Sequence, residues 1–294
     1  MNILLFGAHG QVGTACKKTF ETLGWNVTAL TRGDVDFCMP DTVYSAVKNT
    51  QPNIVVNACA YTAVDKAESE PEIASLVNAK SVGTMGKACH ELNIPVVHIS
   101  TDYVFNGSAN TPYSEIDAVA PMGVYGASKL EGESLLQKET SQNIILRTSW
   151  VFSATGNNFV KTMLRLGLER DELNVVGDQF GCPTYAGDIA QVIASIISLI
   201  EKDKQFSGWG LYNCSNAGDC SWYDFARAIF ETSIESKLLT KAPKVNSITT
   251  DQYPTATARP AYSVLDCSKL EKLIGTSMPN WQNGLYKVCT ELCD

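Results

Sequence analysis

Short apolar runs alternate with longer segments of helical apolar spacing through the first half of the chain. Asn2–Phe6, Asn26–Thr31, Asn53–Ala60, Pro95–Thr101 and Asn143–Ser149 read as strands. Between them, Thr14–Leu23, Glu72–Leu92 and Tyr125–Lys138 read as helices. This alternation predicts an α/β fold, a doubly wound parallel-sheet Rossmann domain over residues 1–150. Right-handed crossovers bring the C-terminal ends of such strands to one edge. Gly7, Ala58 to Thr62, Ser100 to Asp102 and Thr148 to Trp150 should therefore face one crevice.

Beyond residue 150 the alternation weakens. Helical patterns at Asn158–Glu169, Ser221–Thr232 and Pro279–Leu292 are separated by loops rich in Gly, Pro, Asn and Asp, such as Gly177–Pro183 and Tyr253–Pro260. Residues 151–294 are expected to form a smaller C-terminal α/β substrate domain closing over the crevice, with segments near 185–215 and 250–265 returning to the first domain.

Composition narrows this picture. The 294 residues are 45% hydrophobic and 18% charged, enough for a large core. Ile3–Phe6 is too short for a signal-peptide core and has no basic segment before it. The longest apolar tract, Ile189–Ile200, contains Gln191, Ser195 and Ser198 and falls short of a membrane span. A cytoplasmic protein without membrane partners is expected. The ten cysteines form no CxxC pair and read as buried free thiols. A net charge of −8 without a basic cluster argues against nucleic acid as a partner.

Two motifs carry candidate chemistry. The first strand runs into Gly7-Ala-His-Gly10-Gln-Val-Gly13 and then a helix. Glycines let backbone N–H groups approach a pyrophosphate, and a helix N-terminus adds unpaired donors and positive dipole. The second motif is Tyr125-Gly-Ala-Ser-Lys129. Residues four apart share a helix face, so the lysine ammonium is expected beside the phenol, lowering its pKa into a usable range. Tyr44-Ser-Ala-Val-Lys48 has the same spacing, but lies where a helix packs outside the sheet and reads as structural. His9, His90 and His98 form no catalytic constellation and are assigned core or surface duty.

Together these segments resemble the extended short-chain dehydrogenase/reductase family. The resemblance rests on the glycine motif, Asp36-Phe37, Asn57-Ala-Cys-Ala-Tyr-Thr-Ala-Val-Asp-Lys-Ala-Glu68, Ser100-Thr-Asp-Tyr-Val-Phe-Asn-Gly107 and Tyr125-Gly-Ala-Ser-Lys129. It continues through Arg147-Thr-Ser-Trp-Val-Phe152, Gly156-Asn-Asn-Phe159, Asp178-Gln-Phe-Gly-Cys-Pro-Thr184 and Arg259-Pro260, nearly end to end. It implies reduction of the C4 ketone of a sugar nucleotide such as dTDP-4-dehydro-L-rhamnose. Tyr125 would be the proton donor, Lys129 would hold the nicotinamide ribose, and Thr101 would hydrogen-bond the reacting carbonyl. Gly7, Gly10, Gln11, Val12 and Gly13 would cradle the pyrophosphate. Asp36 and Phe37 would lie by the adenine, and Ala58, Ala60, Tyr61 and Thr62 would line the rest of the cofactor. Asp102, Tyr103, Val104 and Trp150 match positions around the sugar, and Gln179, Pro183, Thr184 and Arg259 match positions around the nucleotide diphosphate. The alternative for Arg259 is that it ties its own loop to a carboxylate.

Departures within the family sharpen the reading. Sugar-nucleotide 4,6-dehydratases have Thr-Asp-Glu where this chain has Thr101-Asp102-Tyr103, so one hydride and one proton transfer are expected without elimination of water. Some relatives bind magnesium through glutamates at a dimer interface. Here Ala15 replaces one, Gly187 and Asp188 stand near another, and Glu291 is retained, so magnesium is not expected and the chain reads as a monomer or weak homodimer. Other members reduce different 4-keto sugar nucleotides, and one type is a dinucleotide-binding regulatory subunit of methionine adenosyltransferase. Intact Thr101, Tyr125 and Lys129 favour an enzyme.

Arg32, after the second strand, stands where NADH-selective sites place a carboxylate, so NADPH is expected with NADH as a second cofactor. Arg32→Ala should weaken NADPH more than NADH in parallel titrations, because NADH has no 2′-phosphate to lose. Equal losses would show that Arg32 does not read that phosphate.

Overall fold

The computed structural model describes residues 1–293. Its first 148 residues run β1 (Asn2–Phe6), α1 (Gln11–Thr22), β2 (Asn26–Leu30), α2 (Pro40–Thr50), β3 (Ile54–Asn57), α3 (Val64–Ala67), α4 (Pro71–Ser75), α5 (Ser81–Leu92), β4 (Val96–Thr101), α6 (Val124–Glu139) and β5 (Asn143–Thr148). A sixth strand, Gly210–Asn213, joins from later in the chain. The sheet order is Gly210–Asn213, β5, β4, β3, β1, β2, and every pairing is parallel. After β2 the chain crosses back over β1 to form β3, so the strand order reverses between β1 and β3. Parallel sheets open a crevice at such a reversal, beyond the strand C-termini.

Both sheet faces are buried, which is why these strands read as unbroken apolar runs. On one face Ile3, Leu5, Ile54, Val56, Val97, Ile144 and Leu146 pack against α1 and the helix Ala186–Lys202. On the other, Leu4, Phe6, Val55, Val96 and Ile145 meet α2, α5 and α6. The period of two divides each strand cleanly between these layers.

Element limits differ from expectation in two informative places. Helix α1 starts at Gln11 rather than Thr14, because extended Gly10 serves as its N-cap and lets the helix begin inside the glycine motif. The expected single helix Glu72–Leu92 is α4 and α5 joined through a π-helical turn at Leu76–Lys80. The Tyr44/Lys48 pair lies on α2 and shares Glu91 at the surface.

A second apolar cluster gathers Val160, Phe225, Ile229, Phe230, Trp281 and Leu285 from the helices Phe159–Glu169, Trp222–Glu235 and Trp281–Glu291, with Phe152 from the short strand Val151–Phe152. These helices cover a parallel strand pair, Glu172–Val176 and Lys244–Ile248. Between the strands of that pair, the chain returns to the first cluster through Ala186–Lys202 and Gly210–Asn213.

The glycine turn sets how closely α1 sits on the sheet edge. A Cβ at Gly13 would lie 2.0 Å from the Gly7 carbonyl oxygen, while one at Gly10 would meet only that oxygen, at 3.3 Å. Gly13→Ala should therefore cost about 2–3 kcal/mol in urea denaturation, because two main chains must separate. Gly10→Ala should cost under about 1 kcal/mol. Equal costs would show that the turn is not held by this contact.

Candidate active site

The crevice begins at the β1/β3 reversal. Gly7 has φ of +76°, and a Cβ there would come within 2.7 Å of the Ala58 main chain at the end of β3. Glycine is thus required both by the turn and by the neighbouring strand. The first intrahelical bond runs from Thr14 N to Gly10 O, which leaves the N–H groups of Gln11, Val12 and Gly13 without partners inside α1. No side chain caps this end. The cradle fits a pyrophosphate, with main-chain donors and helix dipole directed at one point.

Several expected cofactor residues take a different part from the one their position implied. Val12 is buried in the core, and the Gln11 amide oxygen accepts hydrogen bonds from Ser153 (3.1 Å) and Asn158 (2.9 Å) of the second lobe. Both residues can offer a phosphate only their main chain. Phe37 is also core: its ring is 4% exposed and meets Phe6 edge-on, so it forms no adenine wall. The Asp36 carboxylate accepts from Cys38 N at 2.9 Å and shapes its own turn. Arg32 is exposed and forms no ion pair among the described residues. Ala58, Ala60 and Tyr61 are half-buried at the rim and Thr62 is exposed. Asn78, in the π-helical turn, accepts from Tyr61 N and donates to Tyr61 O and the Ser128 hydroxyl, fastening the rim to α6.

Across the crevice, β4 ends at Thr101. Its hydroxyl donates to Asp102 Oδ1 (3.0 Å) and accepts from Tyr103 N (3.2 Å). The Tyr125 ring stands edge-on to Tyr103 at 5.5 Å. Burial pushes the Tyr125 phenol upward, and hydrogen bonding by Thr101 opposes that shift. The expectation that Lys129 lies beside the phenol is corrected. Lys129 is 1% exposed, donates to the Ile99 carbonyl at 2.6 Å and lies 3.2 Å from His98 Nε2. A lysine stem is long enough to leave its helix face for a stronger partner, here the β4 main chain. Burial brings its pKa down to about 8.

His98 is fully buried, and Asn57 stands behind it at 3.0 Å from Nδ1. Next along β4, Ser100 donates to Glu133, which also takes two bonds from Arg147 at 3.0 and 2.7 Å. Sequence reasoning gave none of these residues this role, and Ser100, expected at the crevice rim, is buried against Glu133 of α6 instead, although a signal existed. His98 and Ser100 share one face of β4, and Lys129 and Glu133 share one face of α6.

On the sugar side, Asp102 is buried, with Oδ2 lacking a partner, and burial raises its carboxyl to about 6. The Tyr103 phenol is pushed up to about 12, chiefly by burial. Val104 is corrected to core: it is fully buried with Phe105, Tyr113 and Leu265 and has no surface left for a sugar. Trp150, at φ of +46°, stacks on Trp222 at 3.5 Å. Thr184 and Pro183 are buried behind it; Thr184 donates from N to Trp150 O and from its hydroxyl to Cys182 O. Gln179 donates to Thr250 at 3.0 Å. Arg259 pairs with Asp65 at 2.7 Å, while its Nη1 is buried without a partner.

The magnesium arrangement of some relatives does not fit this chain. Ala15, Asp188, Lys287 and Glu291 line one cavity of about 330 Å³ beside α1. Asp188 there accepts from Asn216 and lies 3.6 Å from Lys287. Among the described residues, no group of three or more His, Cys, Asp or Glu could hold a metal ion.

Comparison with known proteins identifies the family to which the whole chain is similar. The family model described as the RmlD substrate binding domain matches residues 1–293. The dTDP-4-dehydrorhamnose reductase of Escherichia coli (strain K12) is 43% identical, covering 99% of this chain and 98% of that protein. The crystal structure of a dTDP-4-dehydrorhamnose reductase from Clostridium acetobutylicum ATCC 824 superposes with a TM-score of 0.92 at 36% identity, covering 100% of both chains. That of the Bacillus anthracis str. Ames dTDP-4-dehydrorhamnose reductase, in complex with NADP, gives 0.89 at 34% identity, covering 99% of both.

Asp102 makes stability depend on pH. Its folded pKa of about 6 lies above the ordinary 3.8, so the native state binds a proton that the unfolded chain releases. Its contribution is fully favourable below the ordinary value and is lost as pH rises through about 6, by about 3 kcal/mol in all. Asp102→Asn should therefore gain stability relative to the parent between about pH 4 and pH 8, by up to about 3 kcal/mol in paired denaturation curves. A difference independent of pH would refute this assignment.

Proposed function

The chain belongs to the family of dTDP-4-dehydrorhamnose reductases described by the RmlD substrate binding domain, and from that membership and its site we infer that it reduces dTDP-4-dehydro-L-rhamnose to dTDP-L-rhamnose with NADPH or NADH. The observation that carries this reading is the placement of Thr101 and Tyr125 together on the same sheet edge as the glycine cradle, with β3 alone between β4 and β1. Reduced nicotinamide, when bound, supplies the hydride to C4.

The residues of the chain do the rest. The Gln11, Val12 and Gly13 main-chain donors hold the pyrophosphate, with Ala58, Ala60, Tyr61 and Thr62 along the remainder of the cofactor. Arg32 faces the 2′-phosphate, in keeping with the NADP bound by the Bacillus anthracis relative. Thr101, by turning its one hydroxyl proton away from Asp102 Oδ1, directs a hydrogen bond at the C4 carbonyl. The Tyr125 phenol, kept neutral by burial, passes its proton to the oxygen as negative charge develops there. Lys129 holds the nicotinamide ribose.

Asp102, Tyr103 and Trp150 enclose the deoxysugar, and Trp150 is kept rigid by Trp222. The free Nη1 of Arg259 supports a role at the diphosphate, with Asp65 orienting the guanidinium. Gln179, Pro183 and Thr184 shape the wall behind these groups. Residues 1–150 serve as the cofactor domain and 151–294 mainly as the substrate domain. The ten free cysteines, nearly all buried or half-buried, suit a reducing cytoplasm. Lys287 beside Asp188 supports a monomer or weak homodimer in place of a metal-bridged pair.

Tyr125→Phe keeps the ring and removes the proton. Turnover of dTDP-4-dehydro-L-rhamnose, with the product identified by NMR, should fall by about 10²–10⁴-fold while NADPH affinity stays nearly constant. Near-normal turnover would exclude Tyr125 as the acid. Formation of the opposite C4 epimer by the parent enzyme would overturn the assigned reaction.

A further inference from the structure

Helix α6, which carries Tyr125, starts without a cap of its own. Its N-cap Gly123 has no side chain, its first turn holds no acidic residue, and its first intrahelical bond runs from Ala127 N to Gly123 O. The N–H groups of Val124, Tyr125 and Gly126 therefore have no partner inside the helix. The acceptor comes from elsewhere in the chain. Glu68, the residue after α3, accepts from Val124 N at 2.8 Å, and Tyr125 is the next residue along.

The α3 segment is itself tied to the Tyr253–Pro260 loop. Three residues before Glu68, Asp65 accepts from Thr257 N at 3.2 Å and pairs with Arg259 at 2.7 Å, while the Thr257 hydroxyl donates to Val64 O at 3.5 Å. A Cβ at Gly123 would lie 2.6 Å from Thr257 Cγ2 and 2.8 Å from Glu68 Oε1, so the start of α6 is closed in by both groups. A Cβ at Gly126 would strike the Tyr103 carbonyl oxygen, so the same turn is also seated directly on the main chain after β4.

We propose that Glu68 is a positioning residue for Tyr125: its carboxylate fixes the first turn of α6 by the bond to Val124 N–H, and with it the direction in which the Tyr125 side chain leaves the helix. A small rotation of the main chain at Tyr125 is enlarged at the hydroxyl by the length of the side chain, and displacement of a reacting group by about 1 Å can cost about 10²-fold in rate. The bond, not the charge, carries the effect. Glu68 is exposed, so its charge is screened by water, and its loss leaves no buried carboxylate or cation alone.

The proposal rests on the reading of Tyr125 as the proton donor, and a set of variants separates the two. Glu68→Ala should lower kcat with dTDP-4-dehydro-L-rhamnose by about 10- to 100-fold while the KM values for NADPH and the sugar nucleotide stay within about threefold. Glu68→Gln keeps an acceptor oxygen at the same reach and should restore kcat to within about threefold of the parent. Glu68→Asp keeps the charge but is one methylene too short, and should be slow. Because Glu68 acts through the phenol, Glu68→Ala should add less than about threefold to the loss already caused by Tyr125→Phe.

A parent-like kcat in folded Glu68→Ala or Glu68→Asp overturns the proposal. So does a Gln variant as slow as the Ala variant, which would assign the effect to charge, or a full further loss on the Tyr125→Phe background, which would assign it to general damage. Near-normal turnover of Tyr125→Phe by itself removes the reading beneath the proposal and the proposal with it. A slow Tyr125→Phe beside a parent-like Glu68→Ala removes the proposal alone.

Discussion

The contact between β4 and α6 is the constraint on which the site depends, and it is made largely by polar groups. Ser100 and His98 on the strand face Glu133 and Lys129 on the helix, with Arg147 of β5 closing the set. The Glu133–Arg147 pair is almost wholly removed from water. Removing one member of such a pair typically costs about 3–5 kcal/mol, because the other charge is left buried and alone. Apolar packing there would hold the helix as firmly but would leave its axial setting loose, whereas these bonds have fixed lengths and directions. Tyr125 and Lys129 inherit their positions from that seam.

How much of this was legible in the sequence varied with the physics of each part. Parallel strands buried on both faces are continuous apolar runs, so β1, β3, β4 and β5 announced themselves. The π-helical turn at Leu76–Lys80 did not, because one altered bonding register leaves the apolar spacing of a helix almost unchanged. The second lobe was harder to divide, since Ala186–Lys202 is continuous with it in sequence but buries its apolar face under the large sheet.

The residues proposed as catalytic were named through resemblance, but their spatial relations were not legible in the sequence. Four-residue spacing put Tyr125 and Lys129 on one helix face without revealing that the Ile99 carbonyl and His98 would draw the lysine away. Val104 lies just past the end of β4 and Phe37 in the loop between β2 and α2, where a side chain points either to the crevice or to the core. Sequence position could not choose between them; packing against Phe105 and Phe6 did. His98 was read as filler because a lone histidine in a strand has no chemical signature until its neighbours are known.

Gln11 joins two obligations in one residue. Its main chain belongs to the phosphate cradle, while its side chain is held by Ser153 and Asn158 of the second lobe. Arg259 and Asp65 make a second tie between distant parts of the chain. The two lobes are therefore not interchangeable modules. A chimera that exchanged the C-terminal half to alter sugar preference would have to carry Ser153 and Asn158 with it, or disturb the mouth of the dinucleotide site from the far side.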